Sequence, residues 1–284
     1  MKLVSILATA ALSVALVGAP VPASMAQSPA AAPAAAAPAP RLASIGNFRD
    51  VAGGGLSLSG GATMTTGVVY RSGQLKGLSD PDAATLVHLG ITDIYDLRSA
   101  TAAKASPDPV PSGVSYHRID VFAGHSKPYK GRTTAGARAY MRAMNRAFVT
   151  DSRQRSRIAQ ALRAISRAGG PVLIHCAAGK DRTGWLSAML QSIAGANRAT
   201  IKGEYLLSNT YRKDLIDAKV AAARKTSATR AAIVSELELL RPSYLQAGLD
   251  KAVAKYGSLH RYWTKGLKLS GTTIGTLRAK LRQA

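Results

Sequence analysis

His175-Cys176-Ala177-Ala178-Gly179-Lys180-Asp181-Arg182-Thr183-Gly184 holds the one cysteine of the chain between two apolar segments. Upstream, Pro171-Val172-Leu173-Ile174 is a short apolar run of the kind that makes a buried strand. Downstream, Trp185-Leu186-Ser187-Ala188-Met189-Leu190 continues as an apolar helix. Strand, glycine-containing loop and helix in that order predict an α/β fold with the loop wrapped around a helix N-terminus. First-turn amides lack intrahelical acceptors and carry the positive end of the helix dipole, so such a loop binds phosphate.

Gly179 allows the tight backbone path, and Arg182, six residues after Cys176, returns a planar fork to the same centre. A free thiol titrates near 8.5, and a helix N-terminus with a neighbouring cation lowers it to roughly 3.5–7.5. The pattern therefore assigns Cys176 as a thiolate nucleophile. It places Ala177, Ala178, Gly179, Lys180, Arg182 and Thr183 around the phosphoryl oxygens, with Thr183 beside the sulfur as it leaves. His175 is expected to hydrogen-bond the loop backbone next to the thiolate. A buried structural cysteine in a glycine turn and a sulfur-transfer loop are the competing readings; a Cys, Gly and Arg at this spacing between strand and helix argue against the first, and the adjacent His175 and Thr183 fit phosphate chemistry better than the second.

Met1-Lys2, an apolar run over residues 3–17 and Ser24-Met25-Ala26 form a secretory signal peptide over residues 1–26. The apolar run is too short for a membrane-spanning helix, no later stretch is long enough, and no cysteine near the cleavage pattern offers a lipid anchor. The mature chain is expected to be exported, periplasmic or secreted, without a transmembrane segment. An Ala/Pro-rich linker over residues 27–41 precedes a catalytic domain over residues 42–284.

The formal net charge is +23, and the leader removes one lysine and no acid. Such an excess attracts anions. Most of it reads as solvated surface on amphipathic helices, residues 153–167 and 278–282 among them. Aromatic residues are 5% of the chain, so stacking platforms for nucleic acid are not evident and nucleic acid is not expected as a partner.

Strands are predicted over 67–71, 91–97, 114–119 and 171–174, with helices starting near Ser79-Asp80-Pro81 and covering 135–149 and 151–168. This alternation favours a central, mostly parallel sheet flanked by helices. From residue 199 onward the pattern turns helical, at 204–209, 230–240 and 243–256.

Asn47-Phe48-Arg49-Asp50-Val51-Ala52-Gly53-Gly54, Arg71-Ser72-Gly73, Asp96-Leu97-Arg98-Ser99, the cysteine loop, Tyr205-Leu206-Leu207-Ser208-Asn209 and Gly266-Leu267-Lys268-Leu269-Ser270 follow one another in order. In this ordered set the chain resembles the bacterial tyrosine-protein phosphatase family of the secreted mycobacterial type, over the whole mature domain. The resemblance implies a protein tyrosine phosphatase-like fold with a helical C-terminal region. It also implies hydrolysis of phosphotyrosine, with phosphoserine, phosphothreonine and phosphoinositides as further substrates. One departure stands out: Ser99-Ala100-Thr101-Ala102-Ala103 lacks the acidic residue common there.

In relatives with a Gly-Lys-Asp-Arg loop the lysine is associated with lipid or inositol phosphates. Lys180 is thus either a second cation beside the phosphoryl group or a solvent-facing loop residue. The leaving oxygen needs a proton, for which Asp181 is the leading general acid and Asp120, after the strand ending at Ile119, the alternative. Arg49 and Asp50 read either as supports or substrate contacts near the loop or, preferably, as a buried ion pair, and Asp96 and Arg98 as a pair tying adjacent loops. No clustered His, Cys and carboxylate set is visible, so neither a metal nor another cofactor is required. Phosphorylated protein or phosphoinositide is the expected partner, and a phospholigand-binding protein without turnover is the reading from another class.

Overall fold

The structure, a computed structural model, describes residues 41–124 and 128–283. The signal peptide and all of the linker but Arg41 lie outside the described residues.

Strands β1 (Arg49–Asp50), β2 (Thr63–Met64), β3 (Val69–Ser72), β4 (Asp93–Asp96), β5 (Ser115–Arg118) and β6 (Val172–His175) alternate with helices in the first two thirds of the chain, and β7 (Arg282–Gln283) comes at its end. The helices of the first two thirds are α1 (Asp80–His88), α2 (Ala100–Ala105), α3 (Thr134–Thr150), α4 (Ser152–Arg167) and α5 (Arg182–Ala194). Then follow α6 (Arg198–Tyr211), α7 (Lys213–Arg224), α8 (Ala228–Glu238), α9 (Pro242–Tyr256), a single turn α10 (Leu259–Arg261), a π turn (Tyr262–Gly266) and α11 (Gly271–Leu281). Helix starts follow their sequence punctuation: Ser79, Ser99, Thr133, Asp151 and Asn197 each accept an amide bond of the first turn.

The main sheet has the order β1-β3-β6-β4-β5, with β3, β6, β4 and β5 parallel and β1 antiparallel at the edge. This is the mostly parallel α/β sheet expected from the alternation. β6 sits at its centre and buries both faces. Val172 and Ile174 join the larger core with Trp185, Phe148 and Tyr262, while Leu173 joins the smaller one with Phe48, Leu86 and Ile94. Burying each of these aliphatic side chains contributes about 1.5–3 kcal/mol. A run apolar at every position, not at alternate ones, is what a sheet covered on both sides requires.

Register sets the site. His175 pairs with Ser72 on one side and Asp96 on the other, so the carboxyl ends of β3, β6 and β4 finish together. Ligands of open α/β sheets bind at that end.

Two strands escape a reading by periodicity. β2 and β7 form a separate ribbon, with Met64 opposite Arg282, and two residues are too few to show alternation. The helix expected over 278–282 accordingly stops at Leu281, and Arg282 is extended. The basic residues expected as solvated surface also do more than face water. Arg155 donates to Val149 O and Thr150 O, Lys280 to Ala168 O, Arg278 to Ile193 O and Arg282 to Ala194 O. These acceptors are the last carbonyls of α3, α4 and α5, where cations are favoured by the helix dipole. No helix of the described residues is long and apolar enough to cross a membrane.

The C-terminal helices join the core through Tyr205, Leu245, Leu249 and Leu277, and α9 approaches it most closely at Gly248. A Cβ on Gly248 in α9 would lie 2.5 Å from Trp185 Cζ3 and 2.9 Å from Asn145 O. Alanine in a helix interior normally stabilises relative to glycine. Here Gly248→Ala is expected to destabilise by about 1–3 kcal/mol through overpacking, measured by urea denaturation. Unchanged or increased stability would show that α9 does not press on Trp185.

Candidate active site

The loop from Cys176 to Asp181 connects the end of β6 to α5, whose first residue is Arg182. Its shape is imposed from the β3 side. The carbonyl of Ala177 accepts from Gln74 N at 3.1 Å, and that of Ala178 from Asn47 Nδ2 at 3.0 Å. The carbonyl of Gly179 accepts from Asn47 Nδ2 at 2.9 Å and Arg71 Nη2 at 2.7 Å. Gly179 has φ +66°, and a Cβ there would lie 2.3 Å from Ser72 O, so no side chain fits. The amides of Ala177, Ala178, Gly179 and Lys180 donate to no protein acceptor among the described residues.

Cys176 is 2% exposed. Burial opposes its ionisation, yet the charge of Arg182 and the hydroxyl and amide of Thr183 outweigh it and hold the thiol below its ordinary value. Arg182 packs its guanidinium carbon 4.5 Å from the ring centroid of Phe122 and donates to Leu97 O at 3.2 Å. Two buried polar atoms on consecutive residues, Asp181 Oδ1 and Arg182 Nε, have no hydrogen-bond partner among the described residues. Buried polar atoms are normally satisfied, so this cluster marks where a polar ligand fits.

Lys180 does not take the solvent-facing one of the two places expected for it. It is 5% exposed, so it does not face solvent, and its Nζ donates to Leu237 O at 2.5 Å and lies 3.4 Å from Asp181 Oδ2. Its charge is spent on the C-terminal turn of α8, where carbonyls carry the negative end of the dipole. Asp181 stands at the mouth of the loop beside Arg182. Asp120, two residues before the Phe122 that Arg182 stacks on, has its oxygens accepting the amides of Phe122 at 3.1 Å and Gly124 at 3.0 Å. Those bonds make it the cap of its own turn.

Behind the cysteine is a buried charge network only half visible in the sequence. Arg98 grips Asp96 through Nε at 2.9 Å and Nη2 at 2.8 Å, and also pairs with Asp108. His175 lies between the two carboxylates, Nδ1 at 3.8 Å from Asp96 and Nε2 at 3.4 Å from Asp108, with Nδ1 3.4 Å from Cys176 O. Burial lowers the pKa of His175 against the pull of both acids. Burial alone would raise Asp96, but the bonds from Arg98 hold it below the usual carboxylate range. The expectation of no clustered His and carboxylate set is thus corrected: Asp96, Asp108 and His175 converge within 4.8 Å. The guanidinium of Arg98 already supplies the countercharge a metal would bring. Asp108 carries no local motif; only its place in the fold reveals it.

The expected Arg49–Asp50 ion pair is also corrected. Arg49 pairs with Glu204 at 2.7 Å, while Asp50 accepts the amides of Ala52 at 2.7 Å and Gly67 at 2.5 Å. Neighbours on a strand point to opposite faces and do not pair with each other. Burial without a cation raises the carboxyl of Asp50 to about 6.

A cavity of about 240 Å³ opens beside the loop, lined by Phe122, Tyr129, Tyr140, Met141 and Met144 together with Lys180, Asp181 and Arg182. A larger cavity of about 550 Å³ lies between α7 and α8, lined by Ile216, Asp217, Val220, Arg224, Ser235 and Leu239, and Cys176 is not in its lining.

The family model described as tyrosine phosphatase family matches residues 40–283. Triple specificity protein phosphatase PtpB of Mycobacterium tuberculosis is 31% identical over 272 residues, covering 83% of this chain and 96% of that protein. A Cupriavidus necator relative bearing a tyrosine-protein phosphatase name is 29% identical over 232 residues, covering 80% and 83%. A tyrosine-protein phosphatase of Nostoc commune is 30% identical over 143 residues, about half of each chain at 50% and 48%.

The lowered thiol pKa has a direct readout. Alkylation of Cys176 by iodoacetamide, followed against pH, is expected to reach half its maximal rate below the ordinary thiol range. Arg182→Ala should move that midpoint upward. A wild-type midpoint at or above 8.5 would contradict the assignment of the cysteine as a resident thiolate.

Proposed function

The chain belongs to the tyrosine phosphatase family, and on that premise we propose that it is an exported enzyme hydrolysing phosphotyrosine monoesters through a cysteinyl-phosphate. The observation that carries the mechanism is the thiol held below its ordinary pKa at the head of a loop whose amides have no protein acceptor.

The thiolate of Cys176 attacks phosphorus opposite the ester oxygen. The S–P bond forms as the P–O bond breaks, and Asp181 gives its proton to the departing oxygen. Loop amides and the guanidinium of Arg182 hold the three equatorial oxygens. Water then attacks phosphorus, the S–P bond breaks, and Asp181 recovers a proton from the water. Nothing in these steps draws on a metal.

The aromatic and methionine lining of the adjacent cavity supports an aryl leaving group. The triple specificity in the name of the mycobacterial relative supports substrates beyond phosphotyrosine. The phosphoinositide alternative draws on Lys180, which lines the cavity while its Nζ donates to Leu237 O, and on the cationic chain; comparing rates on phosphopeptides and inositol phosphates separates the two. Export rests on the leader sequence.

With chelator present, the purified protein is expected to hydrolyse an aryl phosphate. Cys176→Ser should lose turnover by several orders of magnitude while still binding phosphate, and Asp181→Asn should lose the alkaline limb of the pH–rate profile. Turnover retained by Cys176→Ser would rule out the covalent route, and an unchanged profile for Asp181→Asn would remove it as the acid.

A further inference from the structure

The donors that shape the loop are held in place by a residue distant from it. Glu204, on α6, has a side chain 1% exposed. Its Oε1 accepts from Arg49 Nε at 2.7 Å and from Arg71 Nη1 at 3.1 Å, and its Oε2 accepts from Arg71 Nη1 at 2.7 Å. One carboxylate thus serves two buried guanidinium groups. Two routes run from it to the loop. Arg71 reaches Gly179 O directly through Nη2 at 2.7 Å. Arg49 donates through Nη1 to Asn47 Oδ1. With its oxygen so engaged, Asn47 must turn its amino group to the carbonyls of Ala178 and Gly179.

We propose that Glu204 is a positioning residue of the active site, acting through Arg71 and through Arg49 and Asn47 to keep the loop carbonyls turned away from the phosphoryl group. This rests on the phosphatase reading of the loop. Arg71 is fully buried beside Arg49, and both the burial and the like charge work against it; Glu204 is the anion that opposes them. Without the carboxylate two buried cations lose their counterion, which is costly unless they move. Movement of Arg71 or Asn47 releases the loop carbonyls, and a peptide unit that rotates there exchanges an inward N–H for an inward oxygen. Phosphate affinity, thiolate stabilisation and turnover then fall together. An ion pair that merely braces α6 against β1 and β3 would lower stability and leave those three quantities alone.

The test compares wild type, Glu204→Gln and Arg71→Lys, the last keeping a cation beside Glu204 while removing the fork that bridges it to Gly179. Each is measured at temperatures well below its own melting transition. The readouts are orthovanadate affinity, kcat and KM on an aryl phosphate, and the pH midpoint of Cys176 alkylation. Folded Glu204→Gln is expected to bind vanadate at least about tenfold more weakly, a difference of 1.4 kcal/mol, with kcat reduced and the alkylation midpoint shifted upward. Arg71→Lys should show the same three changes, and it carries the test if Glu204→Gln does not fold. A lowered melting temperature with vanadate affinity, kcat and alkylation midpoint all at wild-type values would overturn the proposal. Failure of wild type to turn over aryl phosphate would instead refute the phosphatase reading.

Discussion

Three consecutive peptide carbonyls, those of Ala177, Ala178 and Gly179, are held toward β3 by Gln74 N, Asn47 Nδ2 and Arg71 Nη2. The active site depends on this constraint. A peptide unit points its C=O and N–H in opposite directions, so fixing the oxygens outward leaves the amides to face an anion. The N-terminus of α5 adds its dipole to the same point. The position of Gly179, with Ser72 O 2.3 Å from where a Cβ would stand, shows how tightly the loop is pressed against β3. The thiol of Cys176 ionises readily in a buried place because that arrangement, with Arg182 and Thr183, stabilises negative charge there.

The basic excess of the chain has a structural use beyond attracting anions. Arginines and lysines close the carbonyl ends of α3, α4 and α5, and Lys180 does so for α8. Lys180 therefore couples the phosphate loop to the C-terminal helices while lining the cavity beside Arg182. The acid side of the site is sparse by comparison, which leaves Asp181 as the carboxylate at the loop mouth.

Local features were legible in the sequence, and partnerships across the fold were not. Pro171 to Leu190 announced strand, loop and helix because apolar runs and a glycine are local signals. The strands near Val69, Asp93 and Ser115 and the helices α3, α4, α6, α8 and α9 emerged from periodicity for the same reason, while α7 at Lys213–Arg224 did not emerge. Asp96 and Arg98 were found as a pair because they are two residues apart at a strand end. Arg49 and Asp50 looked like a pair by adjacency, yet the alternation of a strand separates them, and the true partner of Arg49 lies on α6. Glu204 and Asp108 carry no motif at all: their neighbours are set by sheet order, which brings β1, β3 and β6 together. β1, β2 and β7 are too short to show a period.

The central claim is that phosphate is held by the backbone amides of this loop, freed by carbonyls that face the other way. It is tested most directly by ¹⁵N NMR of the Cys176→Ser protein titrated with inorganic phosphate. The amide resonances of Ala177, Ala178, Gly179 and Lys180 are expected to shift most, with one saturating binding curve, and Gly179→Ala in the same background should abolish those shifts. Saturable binding that leaves these amides unmoved and perturbs the basic helices instead would contradict the account.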